Sequence, residues 1–179
     1  MDFTLQLNAR LRPLDRGDIY EDPLYDILES QGLGETTGGG TMLSENGEVD
    51  FCDVEIALNE VTPENIEKLI KIVEDIGVPK GSLLYNGDFE YHVGNLEGLA
   101  LYINGTELAD EVYETCDFNH VVDKVRELID GHGNFYSYCE LADTALYFYG
   151  TSYAEMKAKI TPFLDEYPLC QKCRVEQIA

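Results

Sequence analysis

Thr41-Met-Leu-Ser-Glu-Asn-Gly-Glu-Val-Asp-Phe-Cys-Asp-Val-Glu-Ile-Ala-Leu58 decides how the first half of the chain folds. Asn46-Gly47 between two apolar runs signals a tight hairpin, because both residues accept positive φ at little cost. From Val49 to Leu58, Cys52, Val54, Ile56 and Leu58 alternate with Phe51, Asp53 and Glu55, which predicts a strand with one apolar face. Upstream, Gly38-Gly39-Gly40 leads into the first arm and reads as a turn or bulge at the strand start. It lacks the Gly-Lys-Ser/Thr ending of a phosphate loop. Before it, a helix is expected with Asp22 as cap, Pro23 at the first position, Leu24, Ile27 and Leu28 as the buried stripe, and Gly32 as the stop. The alternation of Phe3, Leu5, Leu7, Ala9 and Leu11 supplies a first strand. Downstream, Thr62-Pro63 opens a second helix through Ile76, and Ser82–Tyr85 makes a closing strand.

The same order recurs after residues 88–95, which read as a connection. Gly98–Ile103 is a strand, Asn119 begins a helix, and Phe135–Cys139 with Thr144–Gly150 form a second hairpin. Ser152 and Glu155 make a capping box for a helix that Pro162 is expected to kink, and Arg174–Ile178 is a final strand. Both halves, 1–87 and 96–179, thus read β-α-β-β-α-β. The fold class predicted is α+β: tandem ferredoxin-like units, with antiparallel sheets and helices on one face, in one globule.

Charge is the outlying property. Thirty-five acidic residues against twelve basic ones leave −23, while hydrophobic residues make up 44% of the 179, enough for a real core. Such an excess repels nucleic acid and anionic lipid, so neither is an expected partner. The longest apolar runs fall far short of a membrane span, and the N-terminus has no basic segment followed by an apolar one. A cytoplasmic location is therefore expected.

The acids cluster. From Asp15 to Glu60 there are thirteen, against one base, Arg16. Asp15, Asp18, Glu21, Asp22 and Asp26 interleave with Tyr20 and Tyr25, and Asp53 and Glu55 follow on the hairpin strand. In the second half Glu107, Asp110, Glu111, Glu114 and Asp117 surround Tyr113 in the corresponding place, between first strand and first helix. Carboxylates mixed with tyrosines suit docking on a Lys/Arg-rich surface, so these residues form the candidate partner-binding set, and a basic protein is the expected partner. Strand alternation also collects Tyr102, Tyr136, Tyr138, Tyr147 and Tyr149 on the sheet face away from the helices. That row suits burial, protein recognition or base stacking, and the acidic surroundings weigh against the last.

Other chemistry is weakly signalled. Five scattered cysteines fit reduced thiols, and Cys170-Gln-Lys-Cys173 has the spacing of half a zinc knuckle with no second half. His92, His120 and His132 stand apart in sequence. Asp53 and Glu55 on one strand face could serve a carboxylate or metal-dependent active site, the alternative to a binding role, but so acidic a chain offers many such pairs. No catalytic residue, cofactor or metal is predicted. A small-molecule-binding scaffold is a further alternative.

Gly38-Gly-Gly-Thr41, Glu48-Val-Asp-Phe-Cys-Asp53, Glu97-Gly-Leu-Ala-Leu-Tyr-Ile-Asn-Gly105 and Thr144-Ala-Leu-Tyr-Phe-Tyr-Gly150 look like strings of a bacterial family. The whole profile, small, acidic, tyrosine-rich and without a catalytic motif, resembles immunity proteins that neutralise nuclease toxins, including those of contact-dependent inhibition. Acidic ribonuclease regulators and DNA-mimicking anti-restriction proteins share this character. The resemblance implies an inhibitor that covers the basic substrate site of a nuclease toxin.

Overall fold

The structure is a computed structural model that describes residues 2–87 and 89–179. The chain divides into two compact units after Leu96, at the end of the segment read from sequence as a connection.

In the first unit, β1 (Asp2–Leu7) lies between β3 (Val49–Leu58) and β4 (Ser82–Asn86), and β2 (Gly34–Leu43) pairs with the outer side of β3. The resulting order β2-β3-β1-β4, antiparallel throughout, is the ferredoxin-like one, and β5 (Phe89–Val93) extends it past β4. Most of the supposed connection is therefore sheet: pairing of Ser82–Asn86 with Phe89–Val93 gives its backbone groups partners that a free loop would lack. Phe3, Leu5, Leu7, Cys52, Val54 and Ile56 are essentially inaccessible, as their alternation requires, and pack beneath the helices. α3 (Pro63–Ile76) begins where predicted, with the Thr62 hydroxyl accepting from Asn65 N at 3.2 Å, and stops at Gly77, whose φ of 76° favours glycine.

The helical segment before β2 departs from expectation. It starts at Pro13, not Pro23, as α1 (Pro13–Arg16), passes through a π turn (Gly17–Glu21) and continues as α2 (Asp22–Ser30). Asp22 N bonds back to Gly17 O, five residues away, and no side chain caps the α2 start. Such a wide turn fits immediately before Pro23, which has no N–H to extend an ordinary ladder.

The second unit repeats the order. β6 (Glu97–Ile103) is flanked by β8 (Thr144–Gly150) and β9 (Arg174–Gln177), with β7 (Gly133–Glu140) outside β8, so the sheet runs β7-β8-β6-β9. Its helix-side core contains Leu99, Leu101, Ile103, Leu146 and Phe148 with Val121, Val125, Met156 and Ile160. α4 (Asp110–Thr115) precedes α5 (Phe118–Leu128), which Asp117 caps by accepting from Asn119 N at 2.9 Å. α6 (Tyr153–Glu166) is capped as predicted by Ser152, accepting from Glu155 N at 3.3 Å, and runs on through Pro162.

One register shift corrects the tyrosine row. Phe135 faces Phe148, but the next aligned pair is Ser137 with Tyr147, so Tyr136 is a bulge residue. Alternation flips beyond it. Tyr138 aligns with Leu146 and packs on the helix-side core, while Ser137 lies opposite Tyr147 on the other face.

Candidate functional site

The first acidic segment is built on the helix Pro13–Ser30, held against β2 by its inward residues. Tyr20, Leu24 and Leu28 are buried, and the Tyr20 hydroxyl donates to Gly77 O at 3.2 Å. Tyr20 is thus a core residue and does not belong to a docking surface. Arg16 is also buried, at 8% exposure: its Nε donates to Glu21 Oε1, and its Nη1 donates to Thr41 Oγ1 at 2.7 Å. Below this pair lies Gly39, where a Cβ would stand 3.0 Å from both Arg16 Nε and Glu21 Oε1 and 2.3 Å from Asp53 O. The glycine run is therefore the interior of a strand, bulged between Thr36 and Gly38, that lets an ion pair lie against the backbone.

Two of the predicted carboxylates are thus committed. Glu21 answers Arg16, and Asp15 accepts from Arg12 Nε at 2.7 Å. Asp18, Asp22 and Asp26 are exposed, and among the described residues no basic side chain pairs with them. Tyr25 lies beside them, its hydroxyl 3.5 Å from Glu29 Oε1, and the Glu29 carboxylate is the main influence raising the phenol pKa. Asp53 and Glu55 do not join this stripe. They lie on the sheet face away from the helices, accepting from Gln6 Nε2 at 3.4 Å and Thr4 Oγ1 at 3.1 Å, so the first acidic segment divides between the two sides of its sheet.

In the second unit the acidic segment is pinned at both ends. Asn104 Oδ1 accepts from Glu107 N at 2.7 Å, and Lys172 Nζ reaches Glu107 O at 3.0 Å and Oε2 at 3.3 Å. At the other end Asp117 N donates to the Tyr167 hydroxyl at 2.9 Å. Tyr113 turns inward and its hydroxyl accepts from Leu108 N at 3.1 Å. Asp110, Glu111 and Glu114 remain exposed, the first two at the α4 N-terminus, where the helix dipole favours them.

Tyr102, Tyr147 and Tyr149 are buried, and the half-buried Tyr136 ring lies 5.0 Å from that of Tyr149. Arg174 sits 4.2 Å from the Tyr102 ring centroid. These rings do not form an open platform.

The cysteines and histidines fall into place by unit. Cys52 is buried with Sγ 3.3 Å from Leu11 O, and burial raises its thiol pKa. Cys116 and Cys173 pack against the core cluster that contains Cys170. His132 Nδ1 lies 3.1 Å from Glu155 Oε2, His92 is paired only loosely with Glu90, and His120 packs on the rings of Phe163 and Tyr167. Among the described residues no three His, Cys, Asp or Glu side chains are arranged to hold a metal ion, and no helix is long and apolar enough to cross a membrane.

Burial, with Cys173 and Cys116 nearby, pushes the Cys170 thiol up to about 12. A thiol with a raised native pKa contributes fully below its unfolded value, about 8.5, and the contribution is lost as pH climbs through the native value. Stability should therefore fall progressively as pH rises from roughly 9 towards 12 on account of this residue. Urea unfolding of Cys170→Ala across that range should lack this component of the slope.

No family model matches the chain, and no curated protein does. Solved structures do align along it, two of which span nearly its whole length. The first two RRM domains of yeast poly(U)-binding protein (Pub1) share 11% identity over 100% of this chain and 99% of that one, with a TM-score of 0.28. A proposed monooxygenase from Fusobacterium nucleatum subsp. nucleatum shares 11% over 98% and 89%, with a TM-score of 0.32. Neither score reaches the level at which superposition defines a shared fold, so the ferredoxin-like assignment rests on the strand order of each sheet.

Proposed function

We propose that this protein is an acidic, protein-binding inhibitor, an immunity protein acting in the bacterial cytoplasm that covers the basic substrate site of a nuclease toxin. The observation that carries the reading is the stripe Asp18, Asp22 and Asp26, exposed and without a basic side-chain partner among the described residues, on a helix whose other side is fixed in the core. Carboxylates left unneutralised on a rigid helix keep their field for an incoming cation, and pre-organisation reduces the ordering cost of binding. A chain with a net charge of −23 adds long-range attraction for a basic surface. Asp110, Glu111 and Glu114 give the second unit a smaller patch of the same kind.

The test is affinity capture from the source cell at low salt, followed by kinetics on what is recovered. A basic protein that associates rapidly, and whose association slows steeply with added salt, is the expected result. Recovery of neutral or acidic partners alone would sink the reading. On the same partner, the triple variant Asp18→Asn, Asp22→Asn, Asp26→Asn should slow association by roughly tenfold at low salt and change dissociation much less. Equal effects on both rates, or none, would place the contact elsewhere.

A further inference from the structure

Cys170 and Cys173 occupy the first and last positions of a four-residue turn closed by Cys173 N donating to Cys170 O at 3.1 Å. Gln171 has φ −61° and ψ 137°, and Lys172 has φ 61°, the geometry of a type II turn with a non-glycine residue where glycine is preferred. Lys172 is alone among the described non-glycine residues in having positive φ. Such a turn holds its end Cα atoms within about 7 Å, overlapping the span of roughly 4.4–6.8 Å that a disulfide bridges. Both cysteines line one cleft of about 460 Å³ beside Asp165 and Lys172, with Cys170 buried and Cys173 half-buried. From this geometry we infer that Cys170 and Cys173 form a reversible redox pair, oxidised to an intramolecular disulfide by small-molecule disulfides of the glutathione class.

The chemistry balances as two exchanges. The Cys173 thiolate attacks the small disulfide, forming a mixed disulfide and releasing one small thiolate. The Cys170 thiolate then attacks Cys173 Sγ, closing the ring and releasing the second. The two protein thiols give up two protons and two electrons, and the oxidant becomes two thiols. Burial and the Asp165 carboxylate raise the Cys173 pKa, and burial raises that of Cys170 further, so both steps quicken as pH rises. Next to this turn Lys172 grips Glu107 and Tyr167 holds Asp117. Closing the disulfide fixes the strained turn and with it the two ends of the acidic segment.

The full chain should be incubated natively with oxidised glutathione at pH 8, quenched with acid and N-ethylmaleimide, and mapped by mass spectrometry, with amide exchange measured on both forms. The expected product has lost two hydrogens, with Cys170 and Cys173 in one bridged peptide, and shows slower exchange across 107–117. Cys173→Ser should abolish the bridge, and Cys170→Ser should trap the mixed disulfide on Cys173. A bridge to Cys116, a stable glutathione adduct on the unaltered chain, no native oxidation, or unchanged exchange would overturn the inference. Mass and exchange are read without any partner, so their outcome is independent of the inhibitor proposal.

Discussion

Replacing Arg16 by methionine should lower the stability of the first unit by about 3 kcal/mol, because it leaves Glu21 and the Thr41 hydroxyl without their buried donor. Breaking one side of a buried pair commonly costs about 3–5 kcal/mol. The lower end applies here, since the Glu21 side chain is 21% exposed and keeps some hydration. The double variant Arg16→Met, Glu21→Met, which removes both charges, should recover much of the loss. Chemical denaturation of the three proteins measures this directly. If the double variant were as unstable as the single, the cost would lie in packing against Gly39 and not in an orphaned carboxylate. Gly39→Ala approaches the same contact from below. Its Cβ meets backbone as well as the ion pair, so it should destabilise even though alanine is otherwise a mild change.

Phe148→Ala should cost the second unit about 3–5 kcal/mol, the range for removing a fully buried phenylalanine. Phe148 is 0% exposed, and its ring centroid lies 5.5 Å from that of Phe135 across β7 and β8. The cavity would open beneath α5 and α6, whose inward residues Val121, Val125, Met156 and Ile160 belong to the same cluster. Phe148→Leu should lose distinctly less. Equal losses for the two variants, measured by urea unfolding, would mean that neighbours collapse into the space.

These cores were legible because their signals are local. The Asn46-Gly47 turn, the alternation along Val49–Leu58, and the caps at Thr62 and Ser152 each fix a short segment, and together they set the β-α-β-β-α-β order twice. What escaped depends on contacts between distant residues. Arg16 stands out as one base among thirteen acids, but only the approach of Gly39 and Thr41 makes it a buried ion pair. The bulge at Tyr136 has no glycine to announce it, so strict alternation misassigned Tyr138. In the candidate binding set, Asp18, Asp22 and Asp26 have the exposure the sequence suggested. Tyr20 and Tyr113 are turned inward by hydroxyl hydrogen bonds that composition does not reveal. The thiol turn was visible as a spacing, but its strained Lys172 was not.

The π turn at Gly17–Glu21 also sets a phase. Arg16, Tyr20, Leu24 and Leu28 are all buried and recur every four residues, as do the exposed Asp18, Asp22 and Asp26. At 3.6 residues per turn each step of four drifts about 40° around the axis, so the buried row would drift about 120° over its three steps and the acidic row about 80° over its two, carrying one end of each off its side. A wider turn winds less per residue and takes up part of that drift, keeping both rows aligned. Deleting a single residue there would therefore act as a rotation of roughly 100° applied to everything before it, swinging Arg16 out of its pocket while leaving composition and charge almost unchanged.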